Sequence, residues 1–462
     1  MSVFSALFDS NMYSFEQVFG VQDITTAEMK AAFKDWDRLY YQQEPNKQED
    51  PCQRLPVAIV SKLTKTVFGE YQASAEKEGA KGQFISSVLS ALYNVRKKAL
   101  QSALIGGECF LKPVFTPKGV CFSTISRKNC IVLGRNEQNE ITDIGTSEHT
   151  TVGKLHYTLL ERRSVDNNGY LTIESRLFRS DTRNILGVEV PLSALDQYAN
   201  VEPVNTLPTP LYSLGLISLR TPLENCVDGS PDSVSVYAPA AGLIHLININ
   251  EAQINGEFDR GKSRLVVSGD MMEIGPDGRR RFTDDVFTAL DGDPENVGVT
   301  IFSPAFREQS FLARKAEYLR NCETLIGLKR GILSEVEAVE RTAREITSSE
   351  GEYSLTIIDF QEMWEKAVRE AVRVCDILGQ MYRLCDRSPL DMEQDISVSW
   401  GNGILYDENK VWADYMAMVA SGMLKPEIAI AWYFDLPWET PADLAAIRER
   451  YMPELVQLTG GE

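Results

Sequence analysis

The chain has 462 residues, 43% hydrophobic and 24% charged, which excludes wholesale disorder and allows two to four domains of about 150 residues each. Its 47 lysines and arginines stand against 66 acidic residues, a formal net charge of −19. So acidic a surface does not coat nucleic acid as a whole, although it suits a channel whose walls repel phosphate more than they hold it.

No apolar run reaches the roughly 20 residues of a membrane span, so no membrane partner is expected. The start, MSVFSALFDSNMYSF, has no basic stretch leading into an apolar core, and synthesis in the cytoplasm without a secretory signal is expected. Cysteines stand at 52, 109, 121, 130, 226, 322, 375 and 385, none in a C-x-x-C pair, and the histidines are His149, His156 and His245. Zinc ligands come in closely spaced pairs, so no metal site and no cofactor are expected, and most cysteines are predicted to be reduced core residues.

Thr25-Thr26-Ala27-Glu28 is a capping signal for a helix whose Met29, Phe33, Trp36 and Tyr40 recur at helical spacing. Two more helices are predicted over about 55–75 and 83–105. After Gly106-Gly107 the period changes to that of strands. Residues 108–185 are predicted to form an antiparallel sheet of hairpins, with turns at Pro117-Lys118-Gly119, Asn136–Asn139 and Asp166-Asn167-Asn168-Gly169. The proline-rich stretch 196–233 is predicted to be loop. A helix starts near Ser235, with Pro239 in its first turn and a stripe of Leu243, Leu246, Ile247 and Ile254. A short strand, Arg264–Val267, leads to the turn Gly275-Pro276-Asp277-Gly278, and Arg279-Arg280-Arg281-Phe282 begins the return.

The next helix follows Ser303-Pro304. Its predicted apolar face is Leu312, Ala316, Leu319 and Cys322, with Arg307, Arg314 and Lys315 on or near the other face. The polar stretch 334–352 has no stripe and is predicted to be loop. Trp364, Val368, Ala371, Cys375, Leu378 and Tyr382 then step by three and four along the strongest helix. A strand at Ile396–Trp400 precedes helices within 407–460. Gly422 is expected to end one of them, and Thr440-Pro441 to cap the last.

Gly256-Glu257-Phe258-Asp259-Arg260-Gly261-Lys262-Ser263 matches the P-loop pattern letter for letter, and Leu355–Asp359 resembles a magnesium-binding strand. A phosphate-binding loop needs a strand before it and a helix after it, so that N–H groups face the phosphates. Here the predicted order is reversed, and Glu257 and Asp259 would repel a triphosphate. The match is read as chance. G-x-S-x-G, H-E-x-x-H and a strand-to-helix G-x-G-x-x-G are absent, so an enzyme is not expected.

One ordered set of segments resembles the portal proteins of tailed bacteriophages, with closest similarity to the siphophage-type portals of phages that infect Gram-positive bacteria. It runs through Ile185–Leu192, Thr221–Asn225, Ser235-Val236-Tyr237, Gly256-Glu257-Phe258, Gly261–Val267 and Asp285-Val286-Phe287. Phe302-Ser303-Pro304 with Arg307 and Arg341–Ile346 complete it, over about 185–400. Where Arg344 stands, members of that family commonly show threonine.

The resemblance implies an α+β chain with a mixed α/β wing, helical stem, small β-containing clip and α-helical crown. The wing would be 1–234, the stem helices 235–258 and 303–333, and the clip 259–302. A tunnel loop would follow at 334–352, then a long helix and wing return at 353–400 and a crown at 401–462. The resemblance further implies a homo-oligomeric ring, usually of twelve subunits, at one capsid vertex of the virion, assembled in the host cytoplasm. Terminase, through its large subunit, would drive double-stranded DNA inward through the axis, and the DNA would later leave toward the tail. Partners would include a head–tail adaptor and the major capsid and scaffold proteins. DNA contact is expected at Arg307, Arg314, Lys315, Arg341 and Arg344, and clip docking at Lys262, Arg264, Arg279, Arg280 and Arg281. A different virion protein, either a head–tail adaptor or a minor capsid component, is the alternative; a P-loop ATPase stands well behind both.

Overall fold

The helix predicted behind Thr25–Glu28 forms as α1 (Ala27–Tyr41), where the Thr26 hydroxyl accepts from the Met29 N–H at 3.1 Å. Met29, Phe33, Trp36 and Leu39 are its buried residues; Leu39 takes the inward place expected of Tyr40, which is half-buried. The computed structural model describes residues 15–41, 51–116, 119–183, 185–260, 264–267, 272–274, 280–282, 299–302, 307–334, 343–401, 408–434, 436–438 and 440–452. The chain divides into two compact units, Met1–Val67 with Ser74–Ser397, and Phe68–Ala73 with Val398–Glu462.

In the first unit α2 (Leu55–Val67) stops short of its predicted end, and a brief strand, β1 (Gln72–Ala75), begins in the second unit and ends in the first. The long helix α3 (Gly79–Gly106) runs into β2 (Glu108–Thr116) through Gly107. Gly107 has φ +81°, and a Cβ there would run into the Ser233 carbonyl, so both conformation and space demand glycine.

The predicted single sheet is two. β2 pairs with β3 (Gly119–Ser126) and with β10 (Ile217–Arg220). The second sheet runs β4 (Cys130–Arg135), β5 (Ile141–Val152), β6 (Leu155–Val165), β7 (Leu171–Ser180) and β8 (Val188–Val190) in that order, with β9 (Val204–Thr206) also on β7. The break falls at a short 3₁₀ turn, Arg127–Asn129. There the buried Arg127 guanidinium donates to the Cys130 carbonyl at 2.9 Å and the Thr25 hydroxyl at 3.1 Å, fixing the chain as it leaves the first sheet. Two of the three predicted turns behave as expected, while Pro117-Lys118 of the other lie outside the described residues. The Asn136 side-chain oxygen accepts from the Gln138 and Glu140 N–H groups, and that of Asp166 from Asn168 and Tyr170.

Apolar residues of both sheets meet in the cluster Phe110, Ile125, Cys130, Ile144, Leu214 and Leu216. Of the cysteines, 109, 130, 322 and 375 are buried, and burial pushes the Cys109 and Cys130 thiols up to about 12. Cys121 and Cys226 are exposed, against the core placement expected for most of the set.

Beyond a 3₁₀ turn holding Pro239, α4 (Ala241–Arg260) forms. Four short strands follow. β11 (Arg264–Val267) pairs with β14 (Val299–Phe302), and β12 (Met272–Ile274) pairs with β13 (Arg280–Phe282). The predicted turn Gly275–Gly278 lies outside the described residues. α5 (Glu308–Ile326) ends at Gly327, φ +74°.

α6 spans Ala343–Met381. This corrects the predicted polar loop: from Ala343 onward the stretch 334–352 is helix, and residues 335–342 lie outside the described residues. Helix growth from a strong nucleus is favourable, so a polar run without a stripe is drawn into the helix that follows it. β15 (Ile396–Ser399) closes the described part of this unit and begins the next.

In the second unit are α7 (Glu408–Ala420), α8 (Pro426–Tyr433) and α9 (Pro441–Tyr451). Gly422 follows α7 with φ +73°, as expected of a helix-ending glycine. Thr440 makes a full capping box with Asp443 and Pro441 is the first helical residue, as predicted. Among the described residues no helix is long and apolar enough to cross a membrane.

Candidate functional site

The two helices that bracket the β segment, α4 and α5, pack antiparallel, and three polar contacts fix their pairing. Asn250 Nδ2 donates to the Phe311 carbonyl at 3.2 Å. Lys315 Nζ lies 2.7 Å from Glu251 Oε2 and 3.4 Å from Gln53 Oε1. Arg307 donates to both oxygens of Glu257, at 3.2 and 3.1 Å. Ile244, Ile247 and Ile254 of α4 and Cys322 and Ile326 of α5 are buried.

This geometry corrects the predicted faces. Arg307 and Lys315, expected to turn away from α4, reach across to its carboxylates. Leu312, expected to pack inward, is 47% exposed, while the Lys315 side chain is only 25% exposed. On α4, Leu246 is likewise exposed and Ile244 is buried in its place. The sequence pattern missed Glu251 and Glu257, which stand six residues apart where Arg307 and Lys315 stand eight apart, so no matched spacing signals the pairs. Hydrogen bonding to Glu257 holds the Arg307 guanidinium above its ordinary pKa.

Arg314 is exposed and turned along its own helix, with Nε 2.7 Å from the Tyr318 hydroxyl. Arg344 lies within α6, not in a loop, and Arg341 falls outside the described residues. Arg264 opens β11 opposite Phe302. Arg280 and Arg281 occupy β13 opposite Ile274 and Glu273. Lys262 and Arg279 lie outside the described residues.

The Lys315–Glu251 contact gives a direct prediction. Both groups keep access to water, so Lys315→Met is expected to cost about 1 kcal/mol or less in chemical denaturation, a difference that shrinks as salt rises. A loss several times larger would mean that this pair, and not the apolar seam, holds the hairpin.

The P-loop context is absent. Gly256–Asp259 are turns of helix α4, the strand β11 comes after the pattern, and Leu355–Asp359 lie inside α6. Among the described residues no strand leads into the pattern and no helix N-terminus directly follows it. Among the described residues no group of three or more histidine, cysteine, aspartate or glutamate side chains is placed to hold a metal ion.

Apolar side chains also remain on the outside of this hairpin, namely Leu246, Ile249, Leu312 and Leu325, each 42–49% exposed. In the second unit Met416, Met418, Met423, Tyr433, Phe434 and Trp438 are exposed as well.

No protein-family model matches the chain, and no curated protein matches it. A chain in a solved structure described as the neck of an empty GTA particle, computed with C6 symmetry, is similar, with a TM-score of 0.49. The identity is 10%, over 90% of this chain and 96% of that one. At that score nothing about function follows from the likeness. The fold class is α+β.

Proposed function

We propose that the chain is a portal protein, the subunit of a closed ring at one capsid vertex through which double-stranded DNA enters and leaves. The observation that carries this reading is the order helix, small β unit, helix. α4 and α5 pack antiparallel, and the chain between them holds the β11–β14 pair and the β12–β13 hairpin. That order coincides with the stem and clip positions of the sequence resemblance over about 185–400.

A ring needs heterologous interfaces, in which each subunit presents two different faces to its neighbours. Leu246, Ile249, Leu312 and Leu325 leave apolar surface on the hairpin of the kind a neighbouring copy covers. In this reading the ring has the family's usual twelve subunits. Lys262, Arg264, Arg279, Arg280 and Arg281 belong to the clip, which docks terminase or the tail-side adaptor. Arg314, Arg341 and Arg344 are the candidates for sequence-independent phosphate contact. Arg307 and Lys315 serve first as interhelical ion pairs. The chain carries out no catalysis; assembly with capsid and scaffold proteins takes place in the host cytoplasm, and the finished ring resides in the virion.

Electron microscopy of the purified full chain tests the reading. Ring-shaped particles with a central hole, and a native mass that is an integral multiple of the subunit, are expected. Monodisperse monomers at micromolar concentration would overturn it, and ATP binding lost on Lys262→Ala would replace it with the nucleotide-binding alternative.

A further inference from the structure

Helix α3 runs 28 residues from Gly79 to Gly106 without one aspartate or glutamate, in a chain of net charge −19. Its inward side is apolar: Ile85, Val88, Leu89, Leu92, Ala99 and Leu100 are buried. At 3.6 residues per turn, Ser86, Ser90, Asn94 and Lys97 fall in one row on the opposite side, over about 17 Å. Tyr93 and Lys98 flank that row, and all six are exposed.

Several cations elsewhere are paired with carboxylates: Lys30 with Asp23, Lys77 with Asp395, Lys112 with Glu148 and Glu161, Arg135 with Asp232 and Lys315 with Glu251. Lys97 and Lys98 have no ion-pair partner among the described residues. Beside them the Arg96 guanidinium carbon sits 3.4 Å from the centroid of the Tyr93 ring, which brings a third cation to the same row.

We propose that this face of α3 holds the sugar-phosphate backbone of double-stranded DNA without reading its sequence, on residues other than those of the α4–α5 hairpin. Lysine, serine, asparagine and tyrosine are the donors that contact phosphate oxygens. Lysine and serine are depleted from the cores of protein–protein interfaces, which gather aromatic and apolar anchors, and this row offers one such anchor, Tyr93. A second copy of this acidic chain is therefore the less suited occupant. The proposal deepens the portal reading and rests on it for the choice of double-stranded DNA as the polyanion.

The test is fluorescence anisotropy of two labelled duplexes of unrelated sequence, titrated with the full-length protein from about 50 to about 200 mM salt. Lys97→Glu with Lys98→Glu is expected to weaken both duplexes alike, about tenfold or more at the low-salt end. The slope of log affinity against log salt should become shallower by about 2. Lys97→Gln with Lys98→Gln should move both readouts the same way by less. Both replaced side chains are exposed and without an ion-pair partner among the described residues, so the variants should keep the parent's melting temperature. Unchanged affinity and slope would overturn the proposal, as would a parent that leaves both duplexes unbound at the lowest salt. Loss of self-association with DNA affinity retained would overturn it too, and would assign the face to a second copy. Failure of the portal reading shows separately, as parent particles without a ring in micrographs.

Discussion

Replacing Glu161 with leucine is expected to destabilise the first unit by about 3–5 kcal/mol, the range for breaking a buried charge network from one side. Glu161 lies on β6 with 5% of its surface exposed. One carboxylate oxygen accepts from Arg163 Nε at 2.6 Å and the other from Lys112 Nζ at 3.0 Å. Lys112 stands on β2, so this carboxylate ties the three-stranded sheet to the larger one. Without it the buried Arg163 would keep chiefly the Leu214 carbonyl, at 3.0 Å, and Lys112 the more exposed Glu148. Two cations would then remain out of water with half their compensation.

The same carboxylate sets a pH signature. Burial pushes its pKa up, but Arg163 and then Lys112, by charge and hydrogen bonding, outweigh burial and hold it at about 2, against an ordinary 4.5. A depressed carboxylate pKa contributes stability that is fully present above the unfolded value and lost as the pH falls toward the folded one. The contribution, about 3 kcal/mol, should therefore fade between about pH 4.5 and pH 2. Glu161→Gln, which keeps the shape, should be less stable than the parent at pH 7 by about 2 kcal/mol. That gap should narrow on acidification, measured by urea denaturation at each pH. A gap independent of pH would show that the network contributes through packing and not through charge.

Local chemistry is what the sequence made legible. Asn136, Asp166 and Thr440 use side-chain oxygens on backbone groups within four residues, so their turns and cap need nothing distant in order to form. Helices α4 and α5 were legible as helices but not in their facing. Leu243 to Ile249 is nearly continuous apolar sequence, and a row with few polar gaps does not say which side is inward. The inward choice of Ile244 over Leu246 is made by tertiary packing, which the local pattern does not encode. The division into two sheets depends on the buried Arg127, whose partners Thr25 and Asp232 lie about a hundred residues off in either direction. The candidate site was legible in its order, helix, β unit, helix. Its charges were not, because Glu251 and Glu257 acquire a role only once the two helices are set side by side.

The second large effect is expected at Glu323, a residue no sequence pattern singles out. It is fully buried at the end of α5. Gly327 turns the chain back, with the Leu328 N–H donating to the Glu323 carbonyl at 2.8 Å. The following loop then wraps round the Glu323 carboxylate. One oxygen accepts from the N–H groups of Gly331, Leu333 and Ser334, at 3.1, 2.6 and 2.9 Å, and the other from the Ser334 hydroxyl at 2.8 Å. These bonds pin Ser334, where the stretch containing Arg341 and Arg344 begins, so the anchor precedes the segment proposed to meet DNA. Glu323→Ala leaves four donors, three backbone N–H groups and the Ser334 hydroxyl, without this acceptor, each costing about 1–3 kcal/mol if it stays buried and unpaired. A loss of about 3–5 kcal/mol in chemical denaturation is therefore expected, and the loop should open before the rest of the unit does. Trypsin reads that opening directly, because Lys329 and Arg330 lie within the pinned turn. Cleavage there should be much faster in Glu323→Ala than in the parent, with Glu323→Gln, which keeps an acceptor oxygen, close to the parent. Equal cleavage rates for Glu323→Ala and the parent would mean that packing of Leu328 and Ile326, and not the carboxylate, fixes the approach to residue 334.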